Sequence, residues 1–367
     1  MIGRVGRAVW RLVNRRFVKW PLAAGALLLL VLSAPVAYVE LACRGDASDP
    51  STYRALVDPA FHRREANTYL TYPEWHIVYA YDGLAETLTT GDEHAFDYVD
   101  SVMGFWRSAC SLMRVADSHG GADGETRTMI HTIGVSFTAE MAAKAMYEET
   151  VGRATAWARG SGKTPQDNAV AAGAAAYSAF LRQTPWYAFP FDRELRTLWR
   201  APAGLSLRAW ERRFGIGTEL VAKIAYAKAI AGAVAATAPA ALEIRSVVSG
   251  LDRQKLAEIA GVTIIGERGS GIEIETPRYD RFTRILTTIA ELGGTVLEIA
   301  GNDDIMVTIT VPRDFDRPLA PGREIMRLSR SGFPSERVLV DLQVKDLAAF
   351  LRAHPLSDPG LEHIFDY

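Results

Sequence analysis

The residues best equipped for chemistry in this chain are histidines and carboxylates of its helical part. His76 and His131 each fall in a segment of helical periodicity, and Glu74, Asp82, Glu140 and Glu148 lie in the same stretch. Facing one another across helices, such groups build acid–base or metal sites. The spacing gives this reading little help. No Glu-x-x-His or His-Glu-x-x-His pair occurs, so the ligand spacing of helix-bundle metal sites is absent. Glu74 is placed to cap a helix in Thr71-Tyr72-Pro73-Glu74, and Glu140 has Lys144 one turn on as a partner. His131 shares a face with Val135 and Thr138, which suits a core histidine bonded to backbone. His76, His131 and Glu140 remain the candidate catalytic residues of an alternative reading: a membrane-anchored hydrolase or metal-dependent enzyme with its site between helices. The main reading calls for no cofactor and no metal.

Two further motifs fail on context. Gly160-Ser161-Gly162-Lys163-Thr164 looks like the end of a phosphate loop, but Trp157 stands where the first glycine belongs and a helix precedes it instead of a strand. Ser136, in Gly134-Val135-Ser136-Phe137-Thr138, lacks the second glycine of a nucleophile elbow. Cys43 and Cys110 are the only cysteines, and two alone give no zinc spacing. In an oxidising compartment they are a candidate disulfide that would pin the start of the soluble part to a helix. The segment Thr184–Phe191 places Trp186, Tyr187, Phe189 and Phe191, together with two prolines, between helices. It is open to three readings: a loop in the lipid headgroup layer, the wall of an apolar pocket, or a braced connector whose rings plug the core.

Elements must position these groups, and the pattern divides the chain. Residues 50–245 read as a helical domain. Stripes at helical spacing run through Ile77, Tyr81, Leu84 and Leu88; through Phe96, Val99, Met103, Trp106, Cys110 and Met113; and through Ile130, Ile133, Phe137, Met141 and Ala145. The last gives a helix over about 125–158, and Thr164-Pro165 starts the next. The alanine-rich stretch 217–238 is a further helix, read as packed and not membrane-spanning because Glu219, Lys223 and Lys228 interrupt it. Over 250–367 the period changes to two. Val262–Ile265, Ile272–Glu275, Thr295–Ile299, Ile305–Val311 and Val338–Val344 read as strands, with helices over 278–292 and 345–353. Alternation in Ile305–Val311 predicts a half-buried strand with Met306, Thr308 and Thr310 outward. The fold class is therefore α+β: one N-terminal transmembrane helix, a mainly helical bundle, and a smaller C-terminal domain. The β-α-β-β order of that domain is reminiscent of ferredoxin-like domains, although the order does not close cleanly.

The strongest single signal is N-terminal. Trp20 to Val39 holds no charge, and about 20 helical residues at 1.5 Å each span a bilayer core of roughly 30 Å. Before it lie Arg4, Arg7, Arg11, Arg15, Arg16 and Lys19 without an acid, on what reads as a basic amphipathic helix over 1–19. The basic flank stays cytoplasmic, so 20–41 reads as a retained signal-anchor and the rest as exported. No cleavage site with small residues follows it. Without those six basic residues the chain carries a net charge of −8, which argues against nucleic acid; Arg208, Arg212 and Arg213 are one example of where a local basic patch would form. The expectation is a single-pass bacterial inner-membrane protein. Its periplasmic part, in contact with the lipid bilayer, is expected to bind a membrane or periplasmic partner protein or lipid and to be non-enzymatic, since no motif assigns a reaction.

Overall fold

The computed structural model describes residues 2–46, 53–90, 93–235 and 242–367. Helix α1 runs unbroken over Ile2–Ala42. The face on which Arg4, Arg7, Arg11 and Arg15 gather lies outside the described side chains, and residues 236–238 lie outside the described residues. Within α1, Gly25–Ala42 is the window long and apolar enough to cross a membrane, with a mean hydropathy of 1.9. Trp20, Leu22, Leu27, Leu29 and Leu30 are exposed. The last turns dock instead. Val36 packs on the core and Val39 is buried. Cys43 is bonded to Cys110, their Cα atoms 5.0 Å apart, and Arg114 donates to the Ala42 carbonyl at 2.9 Å.

A strap over residues 53–66 leads from this junction across the C-terminal sheets. Its fixing point is Glu298, fully buried, whose carboxylate accepts from Tyr53 Oη at 2.7 Å, from Val57 N at 2.8 Å and from Leu56 N. The strap ends in α2 (Asn67–Leu70) and α3 (Tyr72–Thr90). The expected capping box does not form between them. Thr71 is itself helical and its hydroxyl bonds back to the Asn67 carbonyl, so the two helices follow each other almost without a break. Glu74 is consequently free of capping work.

The bundle continues with α4 (Tyr98–Asp117), capped by Asp97, and α5 (Gly124–Tyr147), capped by Asp123. A single π turn, Glu148–Gly152, joins α5 to α6 (Arg153–Arg159). The expected long helix is thus continuous in direction but widened at one turn, which swings Glu148 inward. Gly160, at φ +80°, ends it. Helix α7 (Pro165–Leu181) opens on a capping box between Thr164 and Asp167, so the Gly160–Thr164 segment is a helix–loop–helix connector. Helices α8 (Phe191–Arg200) and α9 (Leu207–Ala235) complete the layer; α9 starts ten residues before the alanine-rich stretch.

The C-terminal part holds two antiparallel four-stranded sheets. In the first, β1 (Glu243–Ser249), α10 (Arg253–Glu258), β2 (Thr263–Arg268), β3 (Gly271–Pro277), α11 (Asp280–Glu291) and β4 (Thr295–Ile299) give the order β2-β3-β1-β4. In the second, β5 (Asp304–Pro312), β6 (Arg323–Ser329), β7 (Ser335–Gln343), α12 (Val344–Ala353) and β8 (Gly360–Ile364) give β6-β7-β5-β8. Strand for strand this is the same order, with a Pro-containing loop over 313–322 where the first unit has α10. Helix α12 packs on β4 and α11 on β8, a reciprocal arrangement that buries both helices in one shared core. The expectation of a half-buried β5 is corrected. Met306, Thr308 and Thr310 are as buried as Ile305, Val307 and Ile309. Their face is covered by the bundle: Thr68 Oγ1 accepts from Met306 N at 3.0 Å, and Tyr79 Oη meets Thr308 Oγ1 at 3.4 Å.

Candidate functional site

The two histidines do not meet. His76, on α3, is buried beneath α4, and its Nε2 donates to the Ser101 carbonyl at 2.8 Å. Burial pushes its pKa down to about 4, so it is neutral. The approach is close enough that a Cβ on Gly104 would lie 2.9 Å from the His76 ring, which accounts for a glycine inside α4. His131, on α5, reaches the docked end of α1, its Nε2 2.7 Å from Glu40 Oε1. Its partner is a carboxylate across 91 positions, not the backbone its helical face suggested. Arg127 joins the same Glu40 at 3.4 Å. An acid–base pair between His76 and His131 is therefore not assembled.

Glu140, the third candidate, has a different setting. It lines a cleft of about 730 Å³ between α3, α5, α7, the Thr184–Trp186 loop and α9. Trp75, Ile133, Phe137, Leu181, Trp186 and Tyr226 supply apolar walls. This is the size of a small-molecule or acyl-chain site. One end is ionic. Lys223 Nζ lies 2.8 Å from Glu140, 3.1 Å from Glu219 and 2.9 Å from Tyr81 Oη, which donates in turn to Glu140. The expected pairing of Glu140 with Lys144 is corrected: Lys144 turns to Glu219 at 2.7 Å, because α9 presents the closer carboxylate. Burial opposes ionisation here, but the two lysines overrule it, holding Glu140 below its ordinary value and Glu219 at about 2. The Lys223 ammonium also sits 5.0 Å from the Tyr81 ring centre and 5.1 Å from that of Tyr177.

The other end carries Glu74, Gln183 and Tyr279. Burial pushes the Glu74 carboxyl up, against the pull of Arg278. Tyr279 stands at φ +67°, a conformation costly for an aromatic residue, held by its N–H bond to Asp366 at 3.0 Å. The rings of the aromatic segment have two settings. Phe189 and Phe191 are buried against Tyr177 at 4.9 and 5.3 Å and plug the core. Trp186 forms cleft wall and stacks near Tyr226 at 5.0 Å, with Tyr187 half-buried beside it.

The Arg208–Arg213 patch is not a surface patch. Arg208 and Arg212 are buried, and with Arg159 they face Glu93, Asp167, Glu148 and Glu211. Arg212 takes Glu148 with two bonds, at 2.5 and 3.0 Å, which explains the inward swing of the π turn. Three guanidiniums among four carboxylates leave one negative charge in excess. Among the described residues Glu211 Oε1 has no partner, and burial pushes the Glu211 pKa up to about 7, so it is the carboxylate of the four that most readily takes up a proton. Arg213 instead lies over Trp210, 4.8 Å from the ring centre. Comparison with known protein families, with curated proteins and with solved structures finds no match.

Proposed function

We propose that this chain is a single-pass bacterial inner-membrane protein whose exported body holds an amphipathic lipid in the cleft between α3, α5, α7 and α9, without itself carrying out a reaction. The observation that supports this best is where the cleft lies. One face of α5 receives the end of α1 through Arg127 and His131, and the adjoining face, Thr132, Ile133, Ser136, Phe137 and Glu140, is cleft wall. The reach of α1 strengthens the argument. From Lys19, its last charge before the apolar run, to Val36, where docking begins, is 17 residues, about 25 Å of helix, somewhat less than a bilayer core of roughly 30 Å. An anchor of that free length draws the bundle against the headgroups and brings the cleft to the lipid. Apolar walls suit acyl chains, and the Lys223–Glu140–Tyr81 end suits a polar head. The disulfide at the docking point suits an oxidising compartment. We further read the first C-terminal unit as ferredoxin-like, since its strand order and βαββαβ succession agree with that fold, and the second as a copy that has lost one helix.

The test uses the full-length protein in nanodiscs and a fluorescent long-chain fatty acid. Ala222 is exposed on the cleft wall, so Ala222→Trp fills space without burying a ring in the core. Binding should weaken about tenfold or more, equivalent to roughly 1.4 kcal/mol. Equal binding by both proteins would remove the cleft from the account. The enzymatic alternative is disfavoured by the separation of His76, buried under α4, from His131, which pairs with Glu40.

A further inference from the structure

A second cluster lies where the strap, the bundle and the C-terminal sheets meet. Glu65 comes from the strap, His119 from the turn after α4, and Asp304 opens β5. Glu65 Oε1 is 2.6 Å from His119 Nδ1, Asp304 Oδ2 is 4.0 Å from the same nitrogen, and all three donor atoms lie within 4.8 Å of one another. We propose that Glu65, His119 and Asp304 bind one divalent transition-metal ion, with zinc the best suited, which ties the three parts of the fold together.

The surrounding hydrogen bonds decide which atoms face the ion. Tyr69 Oη donates to Asp341 Oδ1 at 2.7 Å, and a carboxylate can only accept. The same oxygen lies 3.3 Å from His119 Nε2, so Nε2 must carry the hydrogen and donate it. At 2.6 Å from a carboxylate oxygen that can only accept, His119 Nδ1 either donates a proton to Glu65, as an imidazolium, or turns its lone pair to an ion held between them. Gln343 Nε2 donates to Asp304 Oδ1 at 3.1 Å, which leaves Oδ2 to face the histidine. Two carboxylates converging on this nitrogen repel one another unless a proton or a metal cation lies among them. The chain Asp341–Tyr69–His119 is the outer arrangement that orients metal-bound histidines. The donor atoms lie within 4.8 Å of one another, so side-chain rotations that also widen the 2.6 Å Glu65–His119 contact bring them to the roughly 2.0–2.2 Å of zinc–nitrogen and zinc–oxygen bonds. One nitrogen and two oxygens are too few hard donors for calcium, which takes about six to eight oxygens. The three side chains are partly exposed, leaving room for water as the fourth ligand.

The rival occupant is a proton, which would make His119 an imidazolium in a plain ion-pair network. Calorimetric titration of chelator-treated, full-length protein with Zn²⁺ separates the two. One equivalent should bind, His119→Ala should abolish that binding, and Tyr69→Phe, which keeps the ring and removes only the orienting hydroxyl, should weaken it about ten- to a hundredfold. Cobalt as a replacement ion should give visible absorption bands that disappear in His119→Ala. No uptake of Zn²⁺, uptake that survives His119→Ala, or equal binding of Ca²⁺ would each overturn the assignment. Circular dichroism of Tyr69→Phe guards against a loss caused by unfolding.

Discussion

Replacing Glu298 with alanine should release the strap without unfolding the protein. Glu298 is fully buried in β4 and its carboxylate gathers three donors, Tyr53 Oη, Leu56 N and Val57 N. Bonds to a charged acceptor contribute about 1.5–3 kcal/mol each, and a buried N–H left without a partner costs about 1–3 kcal/mol. Water can replace part of this once the strap lifts, so the net loss should be about 3–5 kcal/mol, the range for breaking buried charged networks. If opening stays local, each 1.4 kcal/mol is a tenfold change. Amide exchange at Leu56 and Val57 should therefore speed up by about two orders of magnitude or more, while β5 and α3 keep their protection. Hydrogen–deuterium exchange with mass spectrometry reads both. Tyr53→Phe in the Glu298→Ala background should add little, because the two share one interaction. Unchanged exchange at 56–57 would refute the reasoning, since it would mean that the strap is held by its other contacts. Equal acceleration everywhere would refute the claim that the opening is local.

Three other outcomes follow from the same geometry. Cys110→Ser removes a link that closes 67 residues and should cost about 4 kcal/mol on the chain-entropy account, read as a lowered Tm that reductant produces in the parent protein but not in the variant. Glu211→Gln tests the excess charge in the arginine network: a carboxyl whose folded pKa is raised favours the fold below its unfolded value near 4.5 and loses that advantage as pH rises towards about 7, so the variant should gain in Tm relative to the parent at pH 8 and show no gain at pH 4, a difference that thermal melts at the two pH values reveal. Lys223→Met strips the partner from Glu140 and Glu219 and should destabilise by about 3 kcal/mol in denaturant titrations, with part of that loss recovered when Glu140→Leu is added.

Much of the helical layer was legible because its stripes repeat at helical spacing: the 125–158 run, the start at Thr164 and the connector at Gly160 follow from local pattern alone. Cys43 and Cys110 could be named as a pair from composition, though their proximity depends on how α1 docks. What pattern missed was contact over long separations. Met306, Thr308 and Thr310 look like solvent-facing residues of an alternating strand, yet α2 and α3 cover them. Arg208 and Arg212 look like surface cations, yet Glu93, Glu148 and Asp167 gather on them from three other elements. Strands β1, β6 and β8 were not read: β1 straddles the expected boundary between the two parts, and β6 and β8 lie beside proline-containing loops. Of the candidate catalytic residues only Glu140 reaches the cleft, because a helix wheel assigns His131 a face but not the neighbour, α1, that packs there. Glu65, His119 and Asp304 carry no shared spacing, so no sequence signal joins them.

The most direct test of the lipid-binding cleft is crosslinking in native membranes. A photoreactive residue at Tyr226, half-exposed on the cleft rim, should yield a lipid adduct of the full-length protein by mass spectrometry; the same residue at Phe214, somewhat more exposed but outside the cleft, should not. No lipid adduct at Tyr226, or equal adducts at both positions, would contradict the account.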